Sequence, residues 1–515
     1  MKTYAPLACC PLLLALLCAM PLARAQDAID RLDMKAHAAL DANDYDTAIK
    51  LWTDELKLDP NNANAAYNRA MAYEAKSNTD MALADYSAAI KLDPSDPLAR
   101  ESRARLYETK ANTAQKPYGP QDPGWQNAID DYAEATRLRL AGIADPAAWL
   151  ARSAADGSGA QRVARWSAAI ALDPKNPLFW LNRGQAEAAV YDPEKAIADY
   201  TGAILLDPKM TDAFLLRADA HSKRKDGLAA AAEDYTAALA IKPDKPNKET
   251  RLHRADIYRR MHDYEKAVAD YTELLRAEPN DAALYTFRAE TYGGMKQWEK
   301  AIADYTEVLR IHPGDYQAYR SRGGAYYEIS KFDNVIADMS AAIALLEKPA
   351  QGNTGDADMM ANCYVLRGDS YAYKGIYDKA LADFDAAMAT TGFGTFDAMD
   401  AKAWLLATCP KNEFRDGKKA LELATKSSGL WKDGYHLDTL AAAEAETGNF
   451  DEAIKVENNA LKALQEQKAD ALQHKDDPDY QEGRYLEDAE RQLKVFAARL
   501  PFYEQKKPFR GEKDP

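Results

Sequence analysis

Cys409, His436 and Asp438 supply the side-chain types of a thiol hydrolase, in which an imidazole takes the thiol proton and the thiolate attacks an acyl carbon. Their setting speaks against that chemistry. Cys409 is followed by Pro410 and lies in no turn that would expose a nucleophile, so hydrolysis stays a distant alternative. The seven histidines, His37, His221, His253, His262, His312, His436 and His474, contain no i, i+4 pair and no histidine-carboxylate motif able to hold a metal. No glycine-rich phosphate loop occurs, and Gly323-Gly324 falls inside a helical run as small residues. The expectation is a protein with no catalytic residue, no metal site and no cofactor.

The bulk composition agrees with a binding role. The 515 residues are 47% hydrophobic and 29% charged, the balance of a soluble globular chain with a large core. With 66 Lys and Arg against 81 Asp and Glu, the net charge of −15 makes nucleic acid a poor partner. Residues 1–25 carry an early Lys2, an apolar stretch from Leu7 to Met20, a helix-breaking Pro21 and the small-x-small pattern Ala23-Arg24-Ala25. The apolar stretch is shorter than the roughly 20 residues that span a bilayer. It reads as a cleaved secretory signal, with no transmembrane segment left after cleavage. The protein is therefore expected to be exported and periplasmic, with secreted or envelope-associated forms as alternatives. Three of the five cysteines sit in this leader, so Cys363 and Cys409 are expected to be structural thiols.

What positions any site is a repeat. Leu58-Asp59-Pro60, Leu92-Asp93-Pro94, Leu172-Asp173-Pro174, Leu206-Asp207-Pro208, Lys242-Pro243, Glu278-Pro279 and His312-Pro313 recur, adjacent copies being 34, 34, 35, 36 and 34 residues apart. Eight residues before each proline stands a large side chain, such as Trp52, Tyr86, Tyr200, Tyr271 or Tyr305. Four residues before that, most copies have alanine; Arg162 and Val335 are the exceptions. A small residue and an aromatic at i, i+4 share one helix face, and the proline ends the helix. A second amphipathic run precedes it, as in Arg288-Ala289 with Tyr292, so each unit is two antiparallel helices that need a neighbour to bury their faces.

This pattern resembles the tetratricopeptide repeat over about residues 29–390. The resemblance implies an all-α fold, a right-handed superhelical solenoid of antiparallel helix pairs. The expected organisation is a signal peptide (1–25), an array of about ten repeats (26–390), two further helical hairpins (391–465), a polar linker (466–483), and a capping helix with tail (484–515). Insertions rich in proline, glycine or polar residues are expected near 109–126 and 347–358. The block from Ala403 through Phe414-Arg415-Asp416-Gly417 to Leu437-Asp438-Thr439-Leu440 resembles an extension that follows such arrays in bacterial proteins.

Eight units also place arginine before the small residue of the first helix and aspartate before the large residue of the second: Arg69 with Asp85, Arg103 with Asp131, Arg183 with Asp199, Arg217 with Asp234, Arg254 with Asp270, Arg288 with Asp304, Arg322 with Asp338 and Arg367 with Asp383. An antiparallel hairpin brings each pair together, predicting structural ion pairs rather than an anion-binding strip.

In the family the first helices line the binding groove. Carried onto this sequence, the candidate partner-binding positions are Leu215, Asp219, Leu252, Asp256, Thr286, Glu290, Arg320 and Asp369, an apolar strip beside an acidic one. They suit a basic or amphipathic polypeptide; a plain solvated acidic surface explains them equally. The lysine and asparagine set that clamps a C-terminal carboxylate is missing. The functional expectation is a non-enzymatic interaction scaffold of the bacterial envelope. The alternative is a binder of glycan or peptidoglycan fragments, resting on the aromatic loop from Tyr118 to Trp125.

Overall fold

A computed structural model describes residues 11–113, 123–141, 143–146, 149–150, 155–190, 192–241, 248–347, 355–390, 394–430, 433–473 and 482–511. No strand occurs among the described residues. The chain divides into two compact units, residues 1–241 and 242–515.

In the first unit α1 (Pro11–Asp41) pairs with α2 (Tyr45–Leu58), α3 (Ala63–Ala75) with α4 (Thr79–Leu92), and α5 (Pro97–Thr113) with α6 (Pro123–Leu140). After α7 (Gly159–Leu172), α8 (Pro177–Ala189) pairs with α9 (Pro193–Leu206) and α10 (Thr211–Ser222) with α11 (Leu228–Ile241). The second unit continues with α12 (Lys248–Arg260) and α13 (Tyr264–Ala277), α14 (Ala282–Gly294) and α15 (Trp298–Ile311), α16 (Tyr316–Glu328) and α17 (Phe332–Leu346), then α18 (Gly355–Tyr373) and α19 (Tyr377–Met388). Two more pairs follow, α20 (Gly394–Thr408) with α21 (Gly417–Leu430) and α22 (Gly434–Glu446) with α23 (Phe450–Gln473). Helices α24 (Glu482–Ala497) and α25 (Leu500–Glu504) close the chain against α23.

Local chemistry sets these boundaries. Asp59 ends α2 in an extended conformation (φ −130°, ψ 92°), the one favoured before proline, and its carboxylate accepts from the Asn61 N–H at 3.0 Å. Asn62 then caps α3 by accepting from the Ala65 N–H at 3.1 Å. Within pairs the turn passes through one left-handed residue, Ser77 (φ 59°) or Ser330 (φ 56°) in some copies and Gly375 (φ 71°) in another. The small-aromatic face forms the core: Ala48 with Trp52, Ala82 with Tyr86, Ala267 with Tyr271 and Val335 with Met339 are all buried. Arg162, out of pattern, is only half-buried.

Several expected boundaries move. The leader's first ten residues lie outside the described part, while α1 begins at Pro11 and runs past the expected cleavage site. No helix among the described residues is long and apolar enough to cross a membrane. The first insertion is shorter than 109–126. Helix α5 carries on to Thr113, with the Thr109 hydroxyl bonded to the Arg105 carbonyl at 2.8 Å, and α6 starts at Pro123, a residue well tolerated in a first turn. Residues 114–122 lie outside the described part. Likewise α18 covers 355–358 of the second insertion, and 348–354 are outside. The expected linker at 466–483 is helical to Gln473, because Leu464 and Ala471 continue the buried face of α23 despite the polar composition. Residues 474–481, His474 included, lie outside the described part, and the capping helix expected within 484–515 is α24, Glu482–Ala497.

Candidate interaction site

Eight first helices are each locked to the partner helix by a guanidinium. All eight arginines pair with their aspartates through two parallel hydrogen bonds, Nε and Nη2 donating to the two carboxylate oxygens. Arg288 reaches Asp304 at 2.8 and 2.7 Å. The fork geometry accounts for arginine rather than lysine here. Aromatic rings flank the guanidinium, Tyr285 at 5.6 Å and Tyr292 at 6.0 Å from Arg288.

A third bond escaped the sequence reading. The remaining arginine nitrogen, Nη1, donates to a hydroxyl one repeat earlier: Arg69 to Thr53, Arg103 to Ser87, Arg217 to Thr201, Arg288 to Thr272, Arg322 to Thr306 and Arg367 to Ser340. Each of these hydroxyls spends its own proton on the carbonyl four residues back, as Thr272 does to Val268 at 2.7 Å, which leaves its lone pairs for the arginine. The signal was present as a column of Thr or Ser directly after the large residue of most second helices, Ala133 and Asp385 being the exceptions.

With the first helices fixed in this way, the expected groove positions can be placed. In the first unit Leu215 is half-buried on α10, and Asp219 is exposed and paired with Lys223 at 2.7 Å. In the second, Leu252 and Thr286 are half-buried, and the Thr286 hydroxyl donates to the Ala282 carbonyl at 3.0 Å. Asp256 is exposed, while Glu290 pairs with Arg259 of the preceding first helix at 3.0 Å. The acidic strip is thus partly neutralised by the chain's own cations. Sequence alone placed the carboxylates but not these partners.

Arg320 and Asp369 come together. They line a cleft of about 440 Å³ between α14, α16 and α18, whose other walls include Trp298, Tyr305, Glu328 and Val365. Gly324 makes the room: a β-carbon there would meet nothing within 4 Å, whereas one on Gly323 would fall 2.4 Å from the Met339 Cε. Burial, with the Glu290 charge adding to it, pushes the Tyr305 hydroxyl up to about 12, so it lines the cleft as a neutral group. The cleft offers a cation, two carboxylates and aromatic surface over three successive first helices.

The hydrolase residues do not form a triad as named. His436 holds Asp433, not Asp438, through Nδ1 at 2.9 Å; Asp438 instead pairs with Arg499. Burial pushes the Cys409 thiol up, away from the thiolate a nucleophile needs. Cys363 and Cys409 are free and buried. No group of three or more His, Cys, Asp or Glu side chains is placed to hold a metal ion among the described residues. Of the aromatic loop from Tyr118 to Trp125, residues 118–122 lie outside the described part.

The extension folds around its motif. Phe414 packs on Tyr377 at 5.5 Å, Asp416 caps α21 by accepting from the Lys419 N–H at 3.0 Å, and Arg415 reaches Glu446 at 3.1 Å. Arg510 of the tail joins the same Glu446 at 2.6 Å.

Comparison with known proteins places this architecture. Family models described as Tetratricopeptide repeat match residues 34–109, 191–246 and 249–281. No curated protein sequence matches the chain. Among solved structures, YrrB, titled a TPR protein with an unusual peptide-binding site, is 16% identical over 35% of this chain and 91% of its own, with a TM-score of 0.30. MamA is 17% identical over 35% of this chain and 100% of its own, with a TM-score of 0.31. The Naa15/Naa10 complex bound to HypK-THB is 16% identical over 86% of this chain and 66% of its own, with a TM-score of 0.35. Over the matched residues the chain carries tetratricopeptide repeats, which support a protein-interaction scaffold.

Proposed function

We propose that this protein is an exported, non-enzymatic scaffold of the cell envelope that holds an extended or helical polypeptide segment against the first helices of its second unit. The observation that carries the reading is the cleft at Gly324, where three first helices leave about 440 Å³ open beside Arg320 and Asp369. Mixed charge next to Trp298 and Tyr305 favours an amphipathic partner over a uniformly basic one, because Glu290 already has Arg259. Export rests on the Lys2 to Ala25 pattern.

The test is crosslinking in the periplasm, comparing the wild type with Gly324→Leu and with Asp256→Lys. Gly324→Leu puts side-chain bulk into the cleft from a position whose β-carbon meets nothing within 4 Å, and should abolish capture of a defined partner while the helical circular dichroism is kept. Capture unchanged by Gly324→Leu but lost in Asp256→Lys would move the site to the exposed acidic strip. Sequencing the mature N-terminus from the periplasmic fraction should begin at Gln26.

A further inference from the structure

Two charges on the first helices of the second unit have no counter-charge. Arg320 on α16 lines the cleft at Gly324 but makes no ion pair or hydrogen bond with any described residue. Its charge reaches the Tyr305 hydroxyl of α15 and the Cys363 thiol of α18, opposing the burial that raises both. Asn362, half-buried in the same cleft, also has an amide without a partner among the described residues. The carboxylates of the cleft differ, since Asp369 and Glu328 are each engaged by other groups of the chain.

The opposite charge stands two repeats back. Residues 256, 290 and 324 occupy one register of successive first helices, 34 positions apart, so Asp256 on α12 shares the face that Gly324 leaves open on α16. Asp256 is exposed and has no counter-ion among the described residues. Between the two, Glu290 on α14 is already paired with Arg259. This face therefore carries a bare carboxylate at α12, a neutralised one at α14 and a bare guanidinium at α16.

Without a partner, water solvates both charges. A segment laid over the cleft removes that water from Arg320, and a covered cation with no carboxylate opposite it weakens binding more than the new contacts strengthen it. A carboxylate placed there instead accepts from the guanidinium fork and from the Asn362 amide. We propose that the partner segment is dipolar along its length, setting an aspartate or glutamate side chain against Arg320 and a lysine or arginine against Asp256, so that it lies in one direction only. This inference rests on the polypeptide reading above. Helices packed about 8–10 Å apart put the two charges roughly 20 Å from each other, about six residues of extended chain or about thirteen of helix.

Selection from a random hexadecapeptide library on the full mature chain tests it, with the enriched peptides remade as C-terminal amides and their affinities measured by fluorescence anisotropy. The enriched peptides should share an acidic and a basic residue in one fixed order. Arg320→Met should weaken their binding about thirtyfold and Asp256→Asn, at the exposed rim, about threefold, both with helical circular dichroism unchanged. Arg320→Glu should select a basic residue where the wild type selects an acidic one. The proposal is overturned if the enriched peptides lack the acidic residue, carry the two charges in either order, keep full affinity for Arg320→Met or Asp256→Asn, or bind only with a free C-terminal carboxylate. Those results leave the scaffold reading standing, whereas a library that yields no binder sinks both.

Discussion

Arg288 and Asp304 face each other across one helix hairpin, 16 positions apart in sequence, with two parallel hydrogen bonds between them and a third running from Arg288 to Thr272 of the preceding repeat at 3.1 Å. The pair is mostly buried, so each charge depends on the other. Asp304→Ala should cost about 3 kcal/mol by stranding the guanidinium, and joint replacement by Met and Leu should cost less than either single change. Thr272→Val should cost about 1 kcal/mol. Urea unfolding of the four proteins measures all three.

Two glycines at neighbouring places in the repeat should respond in opposite directions. Gly368 lies against Phe384, where a β-carbon would sit 2.6 Å from the ring; Gly324 has open space. Gly368→Ala should destabilise by about 1–3 kcal/mol through overpacking. Gly324→Ala should stabilise by about 0.5–1 kcal/mol because it raises helix propensity. Thermal melts of both variants decide the matter.

Glu457 is fully buried beside Asp438, Arg499 and Tyr503. Burial, with the Asp438 charge adding to it and Arg499 opposing, pushes its carboxyl up to about 10. Between the ordinary carboxylate range and that value the folded chain holds a proton that the unfolded chain has released. Stability of the C-terminal block should therefore fall as pH rises from about 5 towards 10, by at most about 1.4 kcal/mol per pH unit. Glu457→Gln should flatten this slope. Urea midpoints at a series of pH values measure it.

The Cys363 and Cys409 thiols should both be inert in the folded state. Burial pushes Cys363 up to about 11 and raises Cys409 as well. Iodoacetamide at pH 8 should modify neither in native protein and both in denaturant, as followed by mass spectrometry. Rapid native labelling of Cys409 alone would reopen the hydrolase reading.

The hairpins and the arginine–aspartate pairs were legible because both rest on spacing within about 34 residues, which the repeated prolines mark. Pairing held even where spacing was disturbed: Arg103 reaches Asp131 from 28 positions away, across the first insertion. The hydroxyl acceptors were overlooked because they lie in the preceding unit, where no hairpin argument looks. Glu290 and Arg259 likewise sit 31 positions apart on successive first helices, so a list of groove residues showed a bare carboxylate. A second cavity, beside Trp404, draws on residues from Tyr327 to Gly511 and follows from packing, which no single motif encodes.

The three-way bond of these arginines also bears on how such an array can change in length. A unit such as that of Arg288 and Thr306 carries a donor for the hydroxyl behind it and a hydroxyl for the donor ahead, so its two ends match like links of a chain. Duplicating or deleting a whole unit of this kind leaves its neighbours' guanidiniums supplied. An insertion between the helices of one pair does so too, as Arg103 with Ser87 and Asp131 demonstrates, and so does one between pairs, since Arg367 still meets Ser340 from 27 positions away. Length variation is therefore tolerated at the turns and in whole units, while a cut through a helix breaks the linkage on both sides.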